Sequence, residues 1–160
     1  MIDELYSARI LKLAANLPHS GRLAAPEGTG ERVAKLCGSK AVIDVTLDEA
    51  ARVETFAQDV KACALGQAAA GVLGEAVIGA SLDEIVAARD AMSAMLKAGG
   101  EGPTGRFEGL RALKQVADYP ARHASTMVAM EATLDAVRQA QARALARKSP
   151  DTRTSLAGAA

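Results

Sequence analysis

Residues 64–78 are built from Ala, Gly, Leu, Val and Ile, with Gln67 and Glu75 as the only polar side chains. A segment that is apolar on every side makes a stable helix only when other elements surround it. Its glycines suggest close backbone packing. The fold must therefore place this helix inside, and a chain of 160 residues is long enough to do so as one domain. The surrounding core has to be aliphatic, because an apolar fraction of 49% includes only two Phe, two Tyr and no Trp.

Charge excludes some functions. Nineteen basic residues balance nineteen acidic ones, so no net field attracts nucleic acid or anionic lipid, and aromatic stacking platforms are scarce. No apolar run reaches the roughly 18 to 20 residues of a membrane span. Met1-Ile2-Asp3-Glu4-Leu5 carries acid where a signal peptide carries base. The expectation is a soluble cytoplasmic protein with no nucleic-acid or membrane partner. In reducing cytosol its two cysteines, Cys37 and Cys63, are not expected to form a stable disulfide.

Hydrophobic spacing predicts an amphipathic helix over 2–16 and irregular structure over 17–30, where Pro18, Gly21, Pro26, Gly28 and Gly30 fall. Gly28-Thr29-Gly30 is no phosphate loop, because no hydrophobic strand precedes it and no Lys-Ser/Thr follows. Strands are predicted over 31–36, 40–47 and 52–60, joined by short connections into an antiparallel meander. After the buried helix, Ser81-Leu82-Asp83-Glu84 is a capping box that starts a helix to about Lys97. Phe107, Leu110, Leu113 and Val116 mark a further short helix. Pro120 suits a helix start, and the last long helix runs to about Lys148 with Met127, Met130, Leu134 and Val137 inward. The expected fold class is α+β: a small antiparallel three-stranded sheet packed against about five helices. It forms a single domain over 1–148, followed by a disordered tail over 149–160.

Three positions carry candidate chemistry. Cys37 falls in a turn permitted by Gly38, Cys63 follows it by 26 residues at the start of the buried helix, and His123 opens the last long helix. A thiol at a helix N-terminus is stabilised as thiolate, and Lys61 adds positive charge. A histidine in the first helical turn is biased to the neutral, metal-ligating form. Cys, Cys and His would give zinc three ligands and leave a fourth position open. The alternative is that the thiols are packing residues and His123 a surface or capping side chain. Arg122 either balances thiolate charge or faces water. The other candidates are ordinary: His19 reads as a loop residue, Asp44, Asp48, Glu49 and Glu54 as a solvated hairpin face, and Met92, Met95, Met127 and Met130 as core. No Ser/His/Asp pattern, nucleotide loop or paired carboxylates mark an enzyme.

The order of these motifs resembles the U-type iron–sulfur cluster scaffold family, comprising IscU, SufU and the N-terminal domain of NifU. Cys37-Gly38-Ser39 resembles its Cys-Gly-Asp turn, and the run from Phe56 to Cys63-Ala64-Leu65-Gly66 resembles its entry into a small-residue helix. Ser81-Leu82-Asp83-Glu84 matches a family helix start, and Tyr119-Pro120-Ala121-Arg122-His123-Ala124 resembles the segment opening its long helix. Leu110-Arg111-Ala112-Leu113-Lys114-Gln115-Val116 looks like the insertion of the SufU subgroup. The likeness covers about residues 3 to 140.

The resemblance implies a non-enzymatic scaffold holding zinc, iron or a labile iron–sulfur cluster through Cys37, Cys63 and His123, with Ser39 as a further contact. It implies a cysteine desulfurase and other iron–sulfur assembly proteins as partners. Two of the four usual pocket positions differ: Ser39 replaces the aspartate, and Ala124 replaces the third cysteine, which accepts persulfide in some members. The chaperone-recognition segment of IscU is not reproduced at Tyr119-Pro120-Ala121-Arg122. These departures motivate an alternative, an adaptor that binds a desulfurase or another assembly partner without carrying a cluster.

Overall fold

The structure is a computed structural model and describes residues 7–148. The beginning of the predicted first helix and the whole of the 149–160 tail lie outside the described residues. Helix α1 (Ala8–Ala15) leads through a strap to strands β1 (Gly28–Ala34), β2 (Ser39–Leu47) and β3 (Val53–Lys61). Helices α2 (Ala64–Ala76) and α3 (Leu82–Ala98) follow, then a 3-10 run over Gly105–Asp118, a 3-10 turn over Pro120–Arg122, and helix α4 (His123–Lys148). The strands form one antiparallel sheet in the order β1-β2-β3. With the long 3-10 run counted beside α1 to α4, the predicted sheet and five helical segments are present.

α2 is buried through most of its length, from Leu65 through Gly74 apart from Gln67. It is surrounded by α1, α4, the 3-10 run and β3. Its second glycine lets α1 lie against its backbone, since a Cβ on Gly71 would stand 2.5 Å from Leu13 O. The predicted capping box forms at α3: Ser81 Oγ accepts from Glu84 N at 3.2 Å and Glu84 Oε1 accepts from Ser81 N at 3.2 Å. Met92, Met95, Met127 and Met130 are all buried.

Strand β1 starts three residues earlier than its sequence suggests, at Gly28 rather than Glu31. Glycine is depleted in strands, so periodicity hides the start. Here the glycines face α4, which crosses β1 and β2. A Cβ on Gly28 would collide with Ala136 O, and one on Gly30 with Ala132 O. Ala132, Ala136 and Ala140 recur every fourth residue and share one helix face. Helix backbone therefore rests on strand backbone with no side chain between them.

The second correction concerns Asp44, which is not on a solvated hairpin face. Asp48, Glu49 and Glu54 are exposed as expected, but the Asp44 side chain is 0% exposed. Residues 17–27 pass over that face of the sheet, and Asp44 holds them. Its carboxylate accepts from Arg22 Nε at 2.6 Å, Leu23 N at 3.0 Å and Thr29 Oγ1 at 2.7 Å. Burial opposes its ionisation, yet hydrogen bonds from Arg22, Thr29 and Leu23 hold its pKa below the ordinary carboxylate value. Gln58 fixes the same strap, with its Nε2 donating to Pro18 O and Ala70 O at 3.0 Å each. His19 is indeed a loop residue there, its ring edge-on to Phe56.

The stretch expected as a short helix is a 3-10 run whose buried residues are Phe107, Leu110, Leu113 and Val116. Strict spacing by three suits a helix of three residues per turn, which stacks them in one row.

Gly30→Ala tests the strand–helix contact. The added methyl has only backbone to push against, so the loss should reach the upper end of the overpacking range, about 3 kcal/mol. Chemical denaturation of the variant beside wild type measures it; a loss below about 1 kcal/mol would show that α4 can lift without penalty.

Candidate functional site

The β1–β2 connection places Cys37 at the tip of a hairpin, with Gly38 at φ 73° making the turn. This is left-handed backbone that glycine adopts without strain. In the β2–β3 pairing Lys40 lies opposite Lys61. Two residues beyond Lys61 the chain reaches Cys63, the N-cap of α2. One register thus carries both cysteines to the same end of the sheet. There the first turn of α4 meets them.

Ser125 is the meeting point. Its hydroxyl is buried at 0% exposure and lies 3.4 Å from Cys63 Sγ. The approach depends on Gly66, in the first turn of α2, because a Cβ there would stand 2.6 Å from Ser125 O. Cys37 is exposed, and its Sγ lies 3.2 Å from Ser39 Oγ. Hydrogen bonding from the Ser39 side chain and backbone lowers the Cys37 pKa; burial opposes the shift, while the Ser125 side chain and the Arg122 charge favour it. Arg122 is half-buried, and its charge is the smallest of the influences that favour the Cys37 thiolate.

The site therefore brings together Cys37, Cys63, Ser39, Ser125 and Arg122. It does not bring in His123. That ring sits at the first residue of α4, as expected, but its Nε2 lies 2.9 Å from Val116 O and 3.2 Å from Ala117 O, closing the end of the 3-10 run. Among the described residues no group of three or more His, Cys, Asp and Glu is arranged to hold a metal ion. His123 and the exposed Ala124 instead line a groove of about 440 Å³ with Arg32, Lys97, Pro120 and Met127.

Ser125 was not singled out from the sequence. The available signal was a pair of hydroxyls, Ser125 and Thr126, immediately after His123. Such pairs in a first helical turn usually serve only the backbone.

Chemically, two thiols with a hydroxyl beside each can take a thiophilic ion or two positions of a cluster, leaving the remaining positions to outside ligands. Fold and site together define a small α+β protein that presents a thiol pair at one end of a meander sheet. The chain matches the NifU-like N terminal domain over residues 5–141 and belongs to that family. It is similar to the crystal structure of a nitrogen-fixing NifU-like protein (N-terminal) from Brucella abortus, with a TM-score of 0.84 and 45% identity over 88% of this chain and 96% of that one. A putative iron–sulfur cluster assembly scaffold protein for the SUF system from Fervidobacterium islandicum AW-1 has a TM-score of 0.75 over 83% of this chain and 96% of that one. At 19% identity, that likeness speaks to fold alone. A hypothetical protein shares 25% identity with a TM-score of 0.71, over 84% and 97% of the two chains. No curated protein matches the chain. Among the described residues no helix is long and apolar enough to cross a membrane.

The role of Ser39 is open to a direct check in a Cys63→Ser background, where Cys37 is the only cysteine left. Replacing Ser39 by Ala removes the side-chain hydrogen bond that favours thiolate, so the Cys37 pKa rises. Alkylation by iodoacetamide, which needs thiolate, should slow at neutral pH, and its pH profile should move to higher pH. An unmoved profile would show that the hydroxyl does not activate Cys37.

Proposed function

We propose that the protein is a scaffold in iron–sulfur cluster assembly, with Cys37 and Cys63 holding iron, zinc or a labile cluster as cargo. The observation that carries this reading is that the strand register brings both cysteines to one end of the sheet, where Cys63 Sγ lies 3.4 Å from the buried Ser125 hydroxyl. Membership of the NifU-like family supports it. So does the 45% identity with a nitrogen-fixing NifU-like protein from Brucella abortus.

The chemistry of the donor set fits such cargo. Thiolates are the usual ligands of iron–sulfur clusters and suit zinc equally. Two protein thiolates are fewer than the four that commonly fix a resident cluster, so cargo held here is readily passed on. Ser39 and Ser125 supply hydrogen bonds to the sulfurs, which tune a bound metal from outside its ligand shell. The scaffold does no catalysis of its own, and a cysteine desulfurase would supply the sulfur. Placement within the SufU subgroup is part of the same proposal, resting on the 3-10 run at Gly105–Asp118 where the sequence resembles that subgroup's insertion.

His123 enters the proposal as a ligand only if its ring leaves the Val116 and Ala117 carbonyls. Metal and sulfide stoichiometry decides the matter. The measurement uses protein purified under argon, wild type beside Cys37→Ser, Cys63→Ser, the double variant Cys37→Ser/Cys63→Ser, and His123→Ala. Wild type should take up metal and each serine variant should lose it, whereas His123→Ala should retain it if the ring stays on its carbonyls. A wild type that binds no more metal than the double serine variant would defeat the proposal. Retention of a desulfurase by that metal-free protein would then favour the adaptor.

A further inference from the structure

Strand β1 ends the sheet, and part of its outer edge is open. Thr29 N turns outward to Gln139 Oε1 at 2.8 Å, so antiparallel alternation turns the peptide groups of Glu31 and Val33 outward as well. Among the described residues nothing pairs with those two groups. The opposite edge differs. There the strap covers β3, with Gln58 N donating to His19 O and Gly21 N to Gln58 O, both at 2.9 Å.

Proteins usually protect an open edge with charged side chains. β1 carries two, but both are tied elsewhere in the molecule: Glu31 to Lys40 of β2 at 2.8 Å, and Arg32 to Asp135 of α4 at 2.6 Å. Beside the open peptide groups stand apolar side chains, Val33 at 54% exposure and Leu36, in the turn that follows, at 78%. The same stretch of β1 borders the groove of about 440 Å³, which Arg32 and Val33 line together with Ala124 and Met127 of α4 and Lys97 of α3. The acid of that groove, Glu131, is paired with Arg89 at 3.2 Å. Lys97 has no ion-pair partner among the described residues. The uncompensated charge in the groove is therefore positive.

A second copy of the chain fits this edge poorly. Antiparallel self-pairing through both open groups sets either Glu31 opposite its own copy or Arg32 opposite its own copy, and like charges directly opposite are destabilising. Pairing centred on Val33 leaves Glu31 past the end of the other strand, since β1 stops at Ala34.

We propose that the β1 edge is a docking site for an extended, acidic–apolar segment of a partner protein, which adds to the sheet as a fourth strand. Main-chain bonds to Glu31 and Val33 would hold the segment, and every second side chain would point into the groove. There apolar side chains meet Met127 and Ala124, and an acidic one meets Lys97. The inference stands apart from the scaffold reading, because it requires nothing to be bound at Cys37 or Cys63.

The probe is an acetylated, amidated heptapeptide, Glu-Thr-Val-Thr-Val-Thr-Glu, which puts two valines and both acids on one face of a strand. Its counterpart carries lysine at both ends. Each is titrated into the full, nitrogen-15-labelled chain while amide shifts are followed by NMR. The acidic peptide should move the Glu31 and Val33 amides in a saturable way, and the lysine peptide should bind more weakly. Val33→Pro removes an outward N–H that the β1–β2 ladder does not use, so the strand should persist while peptide binding is lost. Lys97→Glu should abolish or reverse the preference for acidic ends, and it decides the matter alone if the proline variant does not fold. No saturable shift at Glu31 and Val33, undiminished binding by a folded Val33→Pro variant, or an acidic preference unchanged in Lys97→Glu overturns the inference. So do concentration-dependent shifts of the same amides without peptide, which would give the edge to a second copy. None of these results touches the scaffold reading, which metal stoichiometry tests separately.

Discussion

The contact on which the arrangement depends is backbone against backbone, where Gly28 and Gly30 of β1 meet the Ala132 and Ala136 carbonyls of α4. Helices normally stand about 10 Å from what they pack on, held off by side chains. Here the missing Cβ atoms let α4 sink onto the sheet. Its first turn, carrying Ser125, is thereby fixed relative to the β1–β2 hairpin that carries Cys37. A second approach of the same kind, Gly66 against Ser125 O, fixes the start of α2 and with it Cys63. Three elements distant in sequence thus meet with little freedom to drift, as a preformed site needs.

Such a core has few bulky side chains to interlock, so polar fastenings matter more. Asp44 and Gln58, both 0% exposed, tie the strap over 17–27 to the sheet from opposite sides. Asp44 accepts from Arg22 and Leu23 of the strap, and Gln58 donates from Nε2 to Pro18 O and pairs its backbone with His19 and Gly21. The strap in turn leads back to α1, which covers α2. The polar residues therefore close the shell around the helix whose apolar surface demands one.

Much of this was legible in the sequence because the relevant signals are periodic. The stretch before Val77, polar only at Gln67 and Glu75, could only be an interior helix, and Ser81 with Glu84 spelled its neighbour's cap. Phe107, Leu110, Leu113 and Val116 repeated every three residues, a period that distinguishes a 3-10 run from an α-helix had it been read literally. What stayed hidden involved partners far away in the chain. Nothing local to Gly28 and Gly30 says that a helix a hundred residues on will lie across them. Asp44 alternates along β2 as a solvent-facing residue would, and only the strap over 17–27 buries it. At the site, the two thiols announced themselves and their neighbourhood holds both. His123 fell at the helix start as its spacing required, but the local pull of the Val116 and Ala117 carbonyls turned its ring away. Ser125 carried no signal beyond being next door.

Cys37 and Cys63 differ in their surroundings. The first is exposed, beside Ser39 and under the charge of Arg122; the second sits deeper, at the mouth of a buried helix. In the scaffold role proposed for the protein, the exposed thiol receives and releases the cargo, and the sheltered one holds it. X-ray absorption at the zinc edge, on anaerobically zinc-loaded protein, examines that claim at atomic range. Two sulfur neighbours at about 2.3 Å, both lost in the Cys37→Ser/Cys63→Ser variant, are the expected result. A first shell of nitrogen and oxygen alone, or one unchanged by removing both thiols, would contradict it.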